Sequence, residues 1–108
     1  MIKISNSSPL AALAEVVGVT EEELKGADRS RRLSDARAMT AAALKQLPDM
    51  RQTDIAEVFG MSQAAVSKML RRHRDLIAVD AVYRQRWEGL FTKGINKLKT
   101  DNYERVVI

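Results

Sequence analysis

The sequence predicts an all-α domain of about six helices, and three observations carry that prediction. Aromatic residues make up only 5% of the 108 residues, and five glycines and two prolines are few for a sheet protein with its many turns. Apolar side chains recur at helical spacing through most of the chain. Most such runs are opened by a Ser, Thr or Asp that can cap a helix start, and several are closed by a Gly or Pro that can end one. The length suits one domain, placed at 1–93, and a composition of 45% hydrophobic and 30% charged residues is globular.

Ser8 and Pro9 open the first helix, Leu10, Leu13, Ala14 and Val17 form its inner face, and Gly18 stops it. Thr20 and Glu23 have capping-box spacing, so a very short second helix should run to Gly26, its Glu21, Glu22 and Glu23 lying at the positive end of the dipole. Residues 27–33 hold three arginines, Arg29, Arg31 and Arg32, without helical periodicity, and read as a basic loop. Ser34 then caps a long alanine-rich helix through Ala36, Met39, Ala43, Leu44 and Leu47, halted by Pro48. Between Thr53 and Leu70 two apolar stripes, Ile55-Val58-Phe59 and Val66-Met69-Leu70, flank Gly60 and Ser62, so two helices meet at a glycine turn. Asp80 is placed to cap a last helix whose inner face would be Val79, Val82, Tyr83, Trp87, Leu90 and Phe91, with Arg86 interrupting it. Residues 94–108 lose the pattern and are expected to form a weakly ordered basic tail.

Composition excludes several chemistries. There is no cysteine and only one histidine, which removes disulfide frameworks, cysteine zinc sites and Cys-His nucleophiles. Glu21, Glu22 and Glu23 are adjacent and so point to different sides of a helix, a poor cage for a cation. No apolar run approaches the roughly 18 residues of a membrane span. The expectation is a cytoplasmic, nucleoid-associated protein with no enzymatic activity, no cofactor, no metal and no membrane partner. The net charge of +4 is unevenly placed: residues 1–28 sum to −3 and residues 29–108 to +7, a balance that favours a polyanionic partner.

The segment at about 53–72 meets the separate demands of a helix-turn-helix. Ala56 lets two helices cross closely, Gly60 makes the turn, and Ile55, Val66 and Met69 fill the wedge between them. The outer face of the second helix stays small or polar, as entry into a major groove about 12 Å wide requires. Gln63, Ala64, Ala65, Ser67 and Lys68 are therefore the candidate base readers. Gln63 suits adenine, Lys68 a guanine or a phosphate, and the alanines a thymine methyl. Thr53, Ser62, Arg71 and Arg72 are placed as phosphate contacts, with Arg74 beyond them at the expected helix end.

From Leu24 to about Phe91 the chain resembles the C-terminal DNA-binding domain of the bacterial chromosomal replication initiator DnaA, a member of the Trp-repressor-like helix-turn-helix group. The resemblance rests on Arg29-Ser30-Arg31, on Arg37 and Met39 in the long helix, on Leu47, and on Ile55, Phe59 and Gly60 in the hairpin. It implies that the basic loop sends an arginine into the minor groove while the hairpin's second helix reads the adjacent major groove. The family's eight-residue reading signature, Gly-Gly-Arg-Asp-His-Thr-Thr-Val, stands opposite the seven residues Gly60-Met61-Ser62-Gln63-Ala64-Ala65-Val66, which keep a leading glycine and the closing valine and lack the Arg-Asp-His-Thr-Thr chemistry. Several base contacts at an estimated 1–3 kcal/mol each are thereby lost, so the family's usual site is not expected to be the target. Nor is a nucleotide-binding domain expected: Gly89 and Gly94 have phosphate-loop spacing, but Ile95 and Asn96 follow where Lys and Ser or Thr are required.

These readings converge on sequence-specific binding of double-stranded DNA by a small transcriptional regulator or accessory replication factor. About five phosphate neutralisations would give a log–log salt slope near −4 to −5. Two other functions share the scaffold: a protein-interaction module using the acidic N-terminal face or Trp87, and the DNA-targeting subunit of a nuclease or transposase. A homodimer or a protein partner is compatible with either. His73, between arginines and without a locally spaced acid, is expected at phosphate or solvent. Tyr83, Trp87 and Phe91 are expected as a core stripe, or, if exposed, as a dimer contact.

Overall fold

The computed structural model describes residues 9–90 and 92, and over these it is an all-α, helix-turn-helix-like domain. Six helices follow in chain order: α1 (Pro9–Val17), α2 (Glu21–Lys25), α3 (Arg31–Lys45), α4 (Gln52–Phe59), α5 (Gln63–Val79) and α6 (Ala81–Leu90). Ser8, Phe91 and the tail at 94–108 lie outside the described residues.

α3 is the axle of the fold, packing against each of the other five helices. Its alanines make this possible: Ala36, Ala38, Ala41, Ala42 and Ala43 are all buried, and with no side chain beyond Cβ they let neighbours approach on several sides. Leu33, Met39 and Leu44 fill the space between. Thr40 is fully buried and donates its hydroxyl to the Ala36 carbonyl at 2.9 Å, which removes the cost of enclosing it. Around this axle stand Leu10, Leu13 and Leu24 from α1 and α2, Ile55 and Phe59 from α4, Val66 from α5, and Tyr83 and Leu90 from α6.

Local signals set most boundaries. Gly18 at φ +82° ends α1, where the Val19 amide donates back to the Ala14 carbonyl at 3.0 Å. The capping box of α2 is complete: Glu23 N–H donates to the Thr20 hydroxyl at 3.0 Å, and Thr20 N–H donates to the Glu23 carboxylate at 2.9 Å. That backbone bond, reinforced by Arg32, holds the Glu23 carboxyl below its ordinary pKa. Gly60 takes the left-handed conformation at φ +67° that joins α4 to α5, and Ser62 caps α5 by accepting from Ala65 N–H at 3.1 Å.

Four expectations need correction. α3 starts at Arg31 rather than after Ser34, because Ser30 is the cap and accepts from Leu33 N–H. Arg31 and Arg32 therefore stand on the first turn of a helix and only Arg29 belongs to the loop. α5 continues to Val79, so Arg71, Arg72 and Arg74 lie in its middle and not at its end. Asp80 separates α5 from α6, its Oδ1 accepting from Tyr83 N–H at 3.0 Å, and the change of helix axis there throws Val79 (80% exposed) and Val82 (67%) to solvent instead of the core. His73 does not face solvent: it is half-buried between α5 and α6, within 2.7 Å of the Tyr83 hydroxyl and edge-on to Trp87 at 4.5 Å between ring centroids. Trp87 is half-buried against it, so Tyr83 and Trp87, the described part of the aromatic stripe, are packed.

Candidate nucleic-acid interface

The loop before α3 and the first turns of α5 come together at a cleft of about 410 Å³. Gly26 and Arg29 line it from the loop and Met61, Ser62, Ala64, Ala65 and Lys68 from the turn and α5, with Arg37 of α3 and Arg72 of α5 also in the lining. Residues about 35 positions apart thus form one concave surface, in which small side chains leave room and cations stand at the rim.

The loop is held by a residue whose role the sequence did not reveal. Arg37 is 6% exposed, and its guanidinium donates to four backbone carbonyls: Leu24 at 2.8 Å, Asp28 at 2.6 Å, Gly26 at 2.9 Å and Glu23 at 3.0 Å. These carbonyls belong to the end of α2 and to the loop, so one rigid fork anchors the segment that presents Arg29. Asp28 completes the turn by accepting from Ser30 N–H at 2.7 Å, a bond that holds its carboxyl below the ordinary range.

The predicted cations separate into two groups. Arg32 donates to Glu23 at 2.9 Å, and Arg31 donates to Asp80 at 3.2 Å and lies 3.6 Å from Asp35. Arg72 grips Asp35 through Nε at 3.0 Å and Nη2 at 2.8 Å. These three are committed within the fold. Arg29, Lys68, Arg71 and Arg74 pair with no carboxylate among the described residues. Lys68 and Arg71 also border a shallower depression of about 330 Å³ that continues the first cleft along α5.

Of the expected base readers, Ala64, Ala65 and Lys68 line the cleft and Gln63 is exposed on the first turn of α5. Ser67 is half-buried, and its hydroxyl accepts from the Gln52 side chain of α4. Ser62 lines the cleft while serving as cap. Thr53 is exposed on α4 and does not line it. The roles of Gln52 and Arg37 were missed because their partners lie nine or more residues away in sequence, beyond any local spacing rule.

Among the described residues no group of His, Asp and Glu is placed to hold a metal ion, and no helix is long and apolar enough to cross a membrane. The fold and the cleft together define a helix-turn-helix-like domain with a partly basic concave face. No protein-family model matches the chain, and no curated protein matches its sequence.

Proposed function

We propose that this chain binds double-stranded DNA in a sequence-specific manner, as a small regulator or accessory replication factor related in design to the DNA-binding domain of the replication initiator. The observation that carries the reading is the shared cleft: Arg29 from the loop and Ala64, Ala65 and Lys68 from α5 line one space, and both cations lack a carboxylate partner among the described residues. A guanidinium without a counter-ion at the edge of a groove-sized concavity is suited to phosphate or to the electronegative minor groove. In this reading α5 enters the major groove with Gln63, Ala64, Ser67 and Lys68 toward base edges, Arg29 reaches the neighbouring minor groove, and Arg71 and Arg74 meet phosphates.

The internal pairing of Arg31, Arg32 and Arg72 lowers the number of cations available to the polyanion. Four neutralisations, by Arg29, Lys68, Arg71 and Arg74, give an expected log–log salt slope of about −3.6. Fluorescence anisotropy with random-sequence duplexes across a salt series measures it, and selection from a random duplex library measures base preference. A slope near zero, or no binding at low salt, overturns the proposal; binding with the expected slope but no enriched motif replaces base reading by an architectural role.

A further inference from the structure

We propose that Gln52 fixes Ser67 as a one-way hydrogen-bond donor, so that the base beneath Ser67 is selected against cytosine, the one base with no acceptor on its major-groove edge. The inference rests on the DNA-reading function proposed for α5. Gln52 is the first residue of α4, and its half-buried side chain crosses to α5, where the amide nitrogen donates to the Gln63 carbonyl at 3.3 Å and to the Ser67 hydroxyl. A backbone carbonyl can only accept, so the Gln63 contact decides which end of the amide faces α5. It must be the nitrogen. The Ser67 oxygen is then the acceptor of the second amide proton, and its own hydrogen is turned away from Gln52.

A helical serine or threonine commonly spends that hydrogen on the carbonyl four residues back, as Thr40 does toward Ala36. For Ser67 that carbonyl belongs to Gln63, which accepts from Gln52. The hydroxyl hydrogen is left for a partner outside the fold. Unconstrained, a serine hydroxyl donates or accepts with equal ease and discriminates little between bases. Held by Gln52, Ser67 is satisfied by guanine N7 or O6, adenine N7 or thymine O4, and is mismatched to cytosine, whose major-groove edge offers only the N4 amino donor. Gln52 is thus a positioning residue, acting on base choice without touching a base.

The test is selection from random duplexes with the wild-type chain, Gln52→Met, Ser67→Ala and the double variant. The wild-type motif is expected to contain one position favouring an acceptor-presenting base over cytosine about fivefold, the effect of one net hydrogen bond. Both single variants should flatten that same position, the double variant no further, with other positions and the salt slope unchanged. Gln52→Lys, which retains donors in a different shape, should keep the preference and guards against a folding defect in Gln52→Met. An enriched motif that Gln52→Met leaves intact, or a flattened position differing from that of Ser67→Ala, overturns this assignment alone. The absence of any wild-type motif overturns base reading and this assignment with it.

Discussion

Arg71 and Arg72 are neighbours on one helix with opposite fates. Arg72 is folded back onto Asp35 of α3 by two hydrogen bonds, while Arg71, about 100° further round the helix, faces outward with no carboxylate partner among the described residues. The same division separates Arg29 in the loop from Arg31 and Arg32 one turn later, and both from the buried Arg37. Residues alike in charge and sequence context thus divide into those that build the scaffold and those that the scaffold presents. A cluster of arginines overstates the charge available to a ligand whenever carboxylates such as Glu23, Asp35 and Asp80 converge on it from other elements.

The contrast is sharpest at Arg37 and Arg29. Replacing Arg37 by Ala leaves up to four carbonyls without their donor, and should lower unfolding stability by about 3 kcal/mol, read from the urea midpoint by circular dichroism. A loss under about 1 kcal/mol would mean that water replaces the guanidinium and that the loop is not clamped. Replacing Arg29 by Ala should leave that midpoint unchanged, weaken duplex binding about tenfold and make the salt slope shallower by about one. Arg32→Ala is the control, because its charge is matched by Glu23: the salt slope should stay the same. If Arg29 and Arg32 variants behave alike, the division into structural and presented cations fails.

The smallest expected effect lies at His73, just past the middle of α5. Burial between Tyr83 and Trp87 holds the His73 imidazole below its ordinary pKa, so the folded protein favours the neutral ring. As pH falls below about 6.5, the unfolded chain takes up a proton that the folded protein resists, and stability declines until the folded ring itself protonates. The depressed carboxyls of Glu23, Asp28 and Asp54 act in the same direction, but only below the ordinary carboxylate range of about 4. Denaturant unfolding at about pH 7.5 and 5.5 should therefore show a drop that His73→Gln reduces. Equal drops in both proteins would remove His73 as its source.

What the sequence made legible was whatever depends on near neighbours. The Thr20–Glu23 box, the Gly18 and Gly60 stops and the Ser62 cap each involve residues at most four or five positions apart, and all stand where expected. The start of α3 was displaced because Ser30 and Ser34 are both good caps, and only the three-dimensional course of the chain chooses between them. Val79 and Val82 were misplaced for a different reason: a periodicity followed across Asp80 assumes one axis, whereas two helices meet there. The candidate reading face was visible as small and polar residues on α5. Its supports were not, since Gln52 to Gln63, Arg37 to Asp28 and Asp35 to Arg72 act across 9 to 37 positions of sequence.

The uninterrupted course of α5 has a mechanical consequence. Seventeen residues in one helix make a rod about 25 Å long, with the reading residues at one tip and the His73–Tyr83–Trp87 packing nearer the other. Pivoting such a rod by about 5° around its far end would swing the tip through about 2 Å, enough to break a base-edge hydrogen bond. The His73–Tyr83–Trp87 packing, which begins one residue beyond Arg72 of the cleft, and the Arg72–Asp35 pair both hold α5 against that swing, so loosening either should blur the proposed base selection while leaving every residue of the tip in place.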